Sequence, residues 1–73
     1  MNKTMATLKQ LRIELGWSNP TLAKQAGVGY GSARKAEDGK PIAAHVAKAI
    51  ADCLSKALER DIKPWEIEGM NIQ

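Results

Sequence analysis

The side chains of this 73-residue chain that could carry chemistry are few, and most of them are cationic. There is one cysteine, Cys53, and one histidine, His45. A single cysteine closes no disulfide within the chain, and one cysteine with one histidine cannot assemble the usual metal-ligand sets. No clustered nucleophile, phosphate loop or paired carboxylates beside a pocket can be traced. An enzyme is therefore the least expected class, with no catalytic residue, metal or cofactor. What remains is charge, and it is unevenly spread. Residues 1–40 hold seven Lys and Arg against three Asp and Glu, whereas residues 41–73 hold four against five. A basic half beside a near-neutral half suggests a polyanion partner on one side.

The elements that must position these residues read as helices throughout. Leu8, Leu11 and Leu15 repeat at three- and four-residue spacing, which predicts a helix over about 4–15 ending at Gly16. Ser18 as a cap and Pro20 in the first turn predict a second helix over 19–26. A third is expected over 30–37, before the turn punctuation of Asp38-Gly39-Lys40-Pro41. Val46, Ile50, Leu54 and Leu58 predict the longest, over 42–58. One further turn, over 64–68, would lay Trp65 and Ile67 on the core. No segment alternates with period two for long enough to predict a strand. The expectation is an all-α, compact five-helix bundle, a single domain over 1–73 with a marginal core. Lys3, Lys9 and Arg12 interrupt any leader-like run near the amino terminus. No stretch approaches the roughly 18 apolar residues that cross a membrane, so a soluble, cytoplasmic protein is expected.

The informative stretch runs from Trp17 to Lys40. Two short helices cross closely only if the residue at the crossing is small, and Ala23 is. The chain must then turn within about three residues, which favours a glycine able to take positive φ, and Gly27 stands there. In the third helix Ala33, Ala36 and Glu37 fall on the inner side. Gly31, Arg34, Lys35 and Asp38 fall outward, with Tyr30 at the leading edge. An exposed helix of this size fits the major groove of a duplex.

The ordered set Leu8, Leu11-Arg12, Gly16-Trp17-Ser18, Leu22-Ala23, Ala26-Gly27-Val28 and Glu37-Asp38-Gly39-Lys40 resembles the phage repressor and Cro (lambda repressor-like) family of helix-turn-helix regulators. The resemblance covers Leu8 to about Leu58. It implies a DNA-binding transcriptional regulator, repressor-like, whose second helix braces the DNA backbone while the third reads bases. It implies phosphate contacts for Asn19, where the family usually carries glutamine, and for Lys40. It also implies base-reading positions at Tyr30, Gly31 and Lys35, with Arg34 beside them, and a structural ion pair between Arg12 and Glu37. Lys24 joins Arg34, Lys35 and Lys40 as a source of non-specific phosphate attraction. The sequence departs from the pattern at Gly31, which has no side chain to read with, and at Ala33 and Ala36, which are smaller than usual. Such a sparse reader favours a homodimer spanning two half-sites, or readout through DNA shape.

Other readings apply to single residues. Tyr30 could read a base, touch phosphate, or lie back over the patch left thin by Ala33. Trp17 and Trp65 read as core, His45 as a solvated surface histidine, and Cys53 as a small packing residue. Lys48, Lys56, Arg60 and Lys63 alternate with acidic residues as on an ordinary solvated face. The competing function is an antitoxin-like or phage-encoded module that uses the same fold to hold a protein partner. The apolar tail from Trp65 to Gln73 is the expected dimer surface.

Overall fold

The computed structural model describes residues 6–73, and each helix in it starts or stops for a reason visible in the sequence. α1 spans Leu8–Glu14. Thr7 caps it through a reciprocal pair: the Gln10 amide donates to Thr7 Oγ1 at 3.1 Å, and the Thr7 amide donates to Gln10 Oε1 at 2.9 Å. The expected start at Thr4 lies outside the described residues, and Ala6 and Thr7 are not helical. α2 spans Asn19–Ala26, with Ser18 Oγ accepting from the Thr21 amide and Pro20 in the first turn. α3 spans Tyr30–Glu37 behind Gly29, which has no side chain to cap with. α4 spans Ala44–Leu58.

The turn between α2 and α3 rests on Gly27, at φ +73. That conformation lets the Val28 amide reach back to the Ala23 carbonyl at 3.0 Å, and the Gly27 amide to that of Lys24 at 3.3 Å. Together these bonds satisfy two of the carbonyls that a helix end leaves open. α4 closes with the same geometry but carries Glu59 at φ +56, the one non-glycine residue with positive φ among those described.

Leu8, Leu11, Leu22, Ile42, Ile50, Leu54 and Ile67 form the core with five alanines, Ala23, Ala33, Ala36, Ala47 and Ala51. Leu22, Ile50 and Leu54 are fully enclosed, each contributing about 1.5–3 kcal/mol by leaving water. The alanines let the helix axes approach closely. On α4 the enclosed stripe is Ala47, Ile50, Ala51 and Leu54, while Val46 and Leu58 are half-buried at its margin. Ser55 fastens the following segment: its Oγ accepts from the Ile62 amide at 2.9 Å and lies within 3.0 Å of the Ala51 and Ile62 carbonyls.

The fold is mainly helical, yet the expectation of an all-α chain needs correction. Pro41–Ile42 (β1) and Asn71–Ile72 (β2) form a two-stranded parallel sheet, extended by a bond from the Gln73 amide to the Ile42 carbonyl at 2.9 Å. Pairing holds Pro41 and Ile42 extended, so α4 begins at Ala44 rather than at residue 42. The expected fifth helix over 64–68 is a single 3₁₀ turn, Pro64–Glu66. Ile67 leaves that turn extended, and the Glu68 amide then bonds the Ala6 carbonyl at 2.9 Å. Residues two apart in such a turn face different ways. Ile67 takes the core position at 3% exposed and Trp65 is turned out at 73%, contrary to the expectation that both would pack. The tail is thereby seated between the start of α1 and the α3–α4 loop. No described helix is long and apolar enough to cross a membrane.

Candidate functional site

The exposed side of α3 is built from behind. Ala33 and Ala36 are 0% and 2% exposed against the core, which fixes the rotation of the helix about its axis. A third anchor lies at its end. Arg12 of α1 donates from Nε and Nη2 to the two carboxylate oxygens of Glu37, at 2.9 and 3.1 Å. Its Nη1 donates to the Trp17 carbonyl at 2.9 Å. The two side chains are 14% and 17% exposed, so the fork-to-fork pair is largely shielded from water and ties α1, the loop before α2, and α3 together. Trp17 is half-buried on the core beside it.

With that side occupied, Tyr30, Gly31, Arg34, Lys35 and Asp38 all face solvent. Tyr30 is 49% exposed and lies along the helix toward Arg34. Arg34 Nη1 donates to Tyr30 Oη at 3.2 Å, with the guanidinium carbon 6.0 Å from the ring centroid. The Tyr30 hydroxyl, followed by the Asp38 charge, holds the Arg34 guanidinium above its ordinary pKa. Lys35 stands on the far side of Gly31 from this pair, so α3 shows two cations with bare backbone between them.

The remaining residues of interest are dispersed around α3. Lys24 is exposed on α2 and Lys40 is exposed just past the end of α3. Asn19, the first residue of α2, is half-buried, and its Oδ1 is enclosed without a hydrogen-bond partner among the described residues. A phosphate contact from Asn19 would come from the amide nitrogen, the only donor on that side chain. His45 is exposed in the first turn of α4, and Cys53 is half-buried, its thiol pushed up by burial against a smaller downward pull from Lys56. Cys53 lines a groove of about 530 Å³ between α2 and α4, with Trp17, Gln25, Ala26, Ala49 and Lys56.

Ion pairing separates the cations into two populations. Lys48 meets Asp52 at 2.7 Å, Arg60 meets Glu14 at 3.3 Å, and Lys63 meets Asp61 at 3.3 Å. Among the described residues no ion pair involves Lys24, Arg34, Lys35 or Lys40; the same holds for Lys9 and Lys56. Much of the charge in the carboxyl-terminal half is thus neutralised locally, whereas the cations on and around α3 are not. Sequence reasoning did not anticipate the Tyr30–Arg34 contact, although its four-residue spacing on a helix was the available signal. The acceptor that Arg12 finds in the Trp17 carbonyl has no such signal, since every residue has a carbonyl. No protein-family model, curated protein or solved structure matches the chain.

Proposed function

We propose that the protein is a DNA-binding regulator of the phage repressor and Cro kind, in which α2, the Gly27 turn and α3 act as a helix-turn-helix. The observation that carries this reading is the outer face of α3. It is exposed along its length, held from behind by Ala33, Ala36 and the Arg12–Glu37 pair, and bears Arg34 and Lys35 with no acidic partner in an ion pair. Unneutralised cations on a rigid helix about 10–12 Å across suit the major groove, about 12 Å wide. In this reading Lys24, Lys40 and Asn19 contact phosphate, and Tyr30, Arg34 and Lys35 face base edges with Gly31 between them.

The test is a titration of the protein with random-sequence duplex across a range of salt. If a dimer neutralises about six phosphates, log affinity falls against log salt with a slope near −5. Affinity that does not respond to salt, or no affinity for any duplex, rules the reading out.

A second reading has one observation in its favour. Trp65 is 73% exposed, and an aromatic that open suits a protein partner better than a solvated surface. In that case the same fold is an antitoxin-like interaction module. It predicts a stoichiometric protein complex that survives nuclease treatment and high salt, together with duplex binding no tighter than that of any basic protein.

A further inference from the structure

The outer face of α3 contains a contradiction that internal packing does not resolve. Gly29 and Gly31 flank Tyr30, and neither has a positive φ. A Cβ built at either would meet no atom within 4 Å. Gly29 is the N-cap of α3, where glycine is accepted more readily than alanine. Gly31 lies within the first turn, where glycine disfavours the helix relative to alanine and nothing among the described residues requires it. Bare backbone with no internal cause is what close approach of an external surface would require.

Between those glycines the Tyr30 phenol oxygen accepts from Arg34 Nη1 at 3.2 Å, the one side-chain hydrogen bond of Tyr30 among the described residues. The partner is neutral, so it restrains the guanidinium without cancelling its charge. It occupies one of five N–H donors, and among the described residues the Arg34 side chain makes no other hydrogen bond. Of the nearby carboxylates, Glu37 is committed to Arg12, and Asp38 acts on Arg34 by its charge without forming an ion pair with it. An unrestrained arginine loses rotamer freedom when it docks, and a restrained one loses less.

We infer that Tyr30 is a positioning residue that holds the Arg34 guanidinium ready for bidentate contact with one guanine, and that Gly31 clears the backbone for this close approach. The inference rests on the DNA-binding reading above and assigns its specificity. Bidentate contact to the guanine O6 and N7 edge is the recognition that a planar, pre-aimed fork performs best. Lys35, a point charge on a flexible stem, supplies attraction with less geometric selection.

The experiment starts from duplexes selected by the wild-type protein from a random pool. Affinity is then measured by fluorescence anisotropy for the selected duplex and for each single base-pair replacement. Tyr30→Phe keeps the ring and removes the hydroxyl. The expected result is a 3- to 10-fold loss of preference for a G·C pair at one position, with the salt slope unchanged. Arg34→Ala removes the preference at that same position, and adding Tyr30→Phe to it changes nothing more. Gly31→Leu lowers affinity for the selected duplex at least 10-fold while helix content is kept. In the free protein, the Arg34 side-chain N–H is more ordered by NMR relaxation in wild type than in Tyr30→Phe.

Any one of five results overturns the inference: a neutral Tyr30→Phe, an effect at a different base pair, an effect that persists without Arg34, a uniform loss with a slope shallower by about 1, or equal Arg34 order in the two free proteins. An unaffected Gly31→Leu overturns the close approach. A wild type that binds no duplex fails the underlying reading and this inference together. A wild type that binds, with Tyr30→Phe neutral, fails this inference alone.

Discussion

Arg12 serves three acceptors at once, the two Glu37 oxygens and the Trp17 carbonyl, and its burial makes the arrangement fragile to loss of one partner. Glu37→Ala would leave a mostly buried cation with only a carbonyl to face. Breaking a fully buried pair costs 3–5 kcal/mol; with both side chains still partly wetted, a loss of about 2 kcal/mol is expected by urea denaturation. A loss under about 0.5 kcal/mol would class the pair with ordinary surface bridges. Glu59 sits at φ +56, a region that costs a side-chain-bearing residue about 1 kcal/mol. Glu59→Gly is therefore expected to raise stability by roughly 0.5–1 kcal/mol, after the extra freedom glycine has in the unfolded chain; a fall in melting temperature would contradict this. Cys53 gives the pH-dependent case. Burial raises its thiol pKa, so the folded state favours the protonated form. Its contribution to stability is full below the ordinary thiol value and fades as pH rises through the raised one. At pH 8 iodoacetamide is expected to alkylate Cys53 more slowly in the folded protein than in urea, and equal rates would contradict it.

At the scale of elements, α2 and α3 have the expected bounds because their signals are local: Ser18 and Pro20 at one start, and Gly27 and Gly39 at the two ends. The fourth helix and the last turn depart from expectation for a shared reason, pairing with distant parts of the chain. α4 begins at Ala44 rather than at residue 42 because Ile42 is held in a parallel pairing with Ile72, 30 positions away, and a two-residue strand is too short to show alternation. The last turn stays 3₁₀ because Ile67 and Glu68 are drawn onto the core and the Ala6 carbonyl. α3 supports a separate prediction. Since a Cβ at Gly31 meets nothing within 4 Å, Gly31→Ala is expected to stabilise the fold by up to about 1 kcal/mol. Thermal unfolding followed by circular dichroism checks it. A destabilised variant would mean that the position is crowded in the folded protein.

For the whole molecule, where an unpaired cation lies relative to α3 decides which substitutions matter: Lys56 makes no ion pair among the described residues either, but it stands on α4. Replacing both Arg34 and Lys35 by alanine is expected to abolish duplex binding, whereas Lys56→Ala, on α4, changes it less than twofold. Equal effects in an anisotropy titration would sink the assigned orientation. The amino-acid sequence by itself determined the spacing of α2 and α3, the sharp turn at Gly27, and which residues of α3 turn outward. These follow from caps, glycine φ and helical period, all of which act within a few residues. Tertiary structure alone decided that the tail becomes a strand, that Trp65 faces solvent while Ile67 is buried, and that Asn19 Oδ1 is enclosed. It also decided which lysines and arginines are neutralised by neighbours. The strand, the seating of Ile67 and the Arg60–Glu14 bridge depend on groups brought together from distant parts of the chain, where no local propensity reaches, whereas Lys48–Asp52 and Lys63–Asp61 join near neighbours in sequence. The chemistry-bearing residues were thus legible one at a time; Glu37 was expected as the partner of Arg12 through the family resemblance, whereas Tyr30 beside Arg34 and Glu14 beside Arg60 were not.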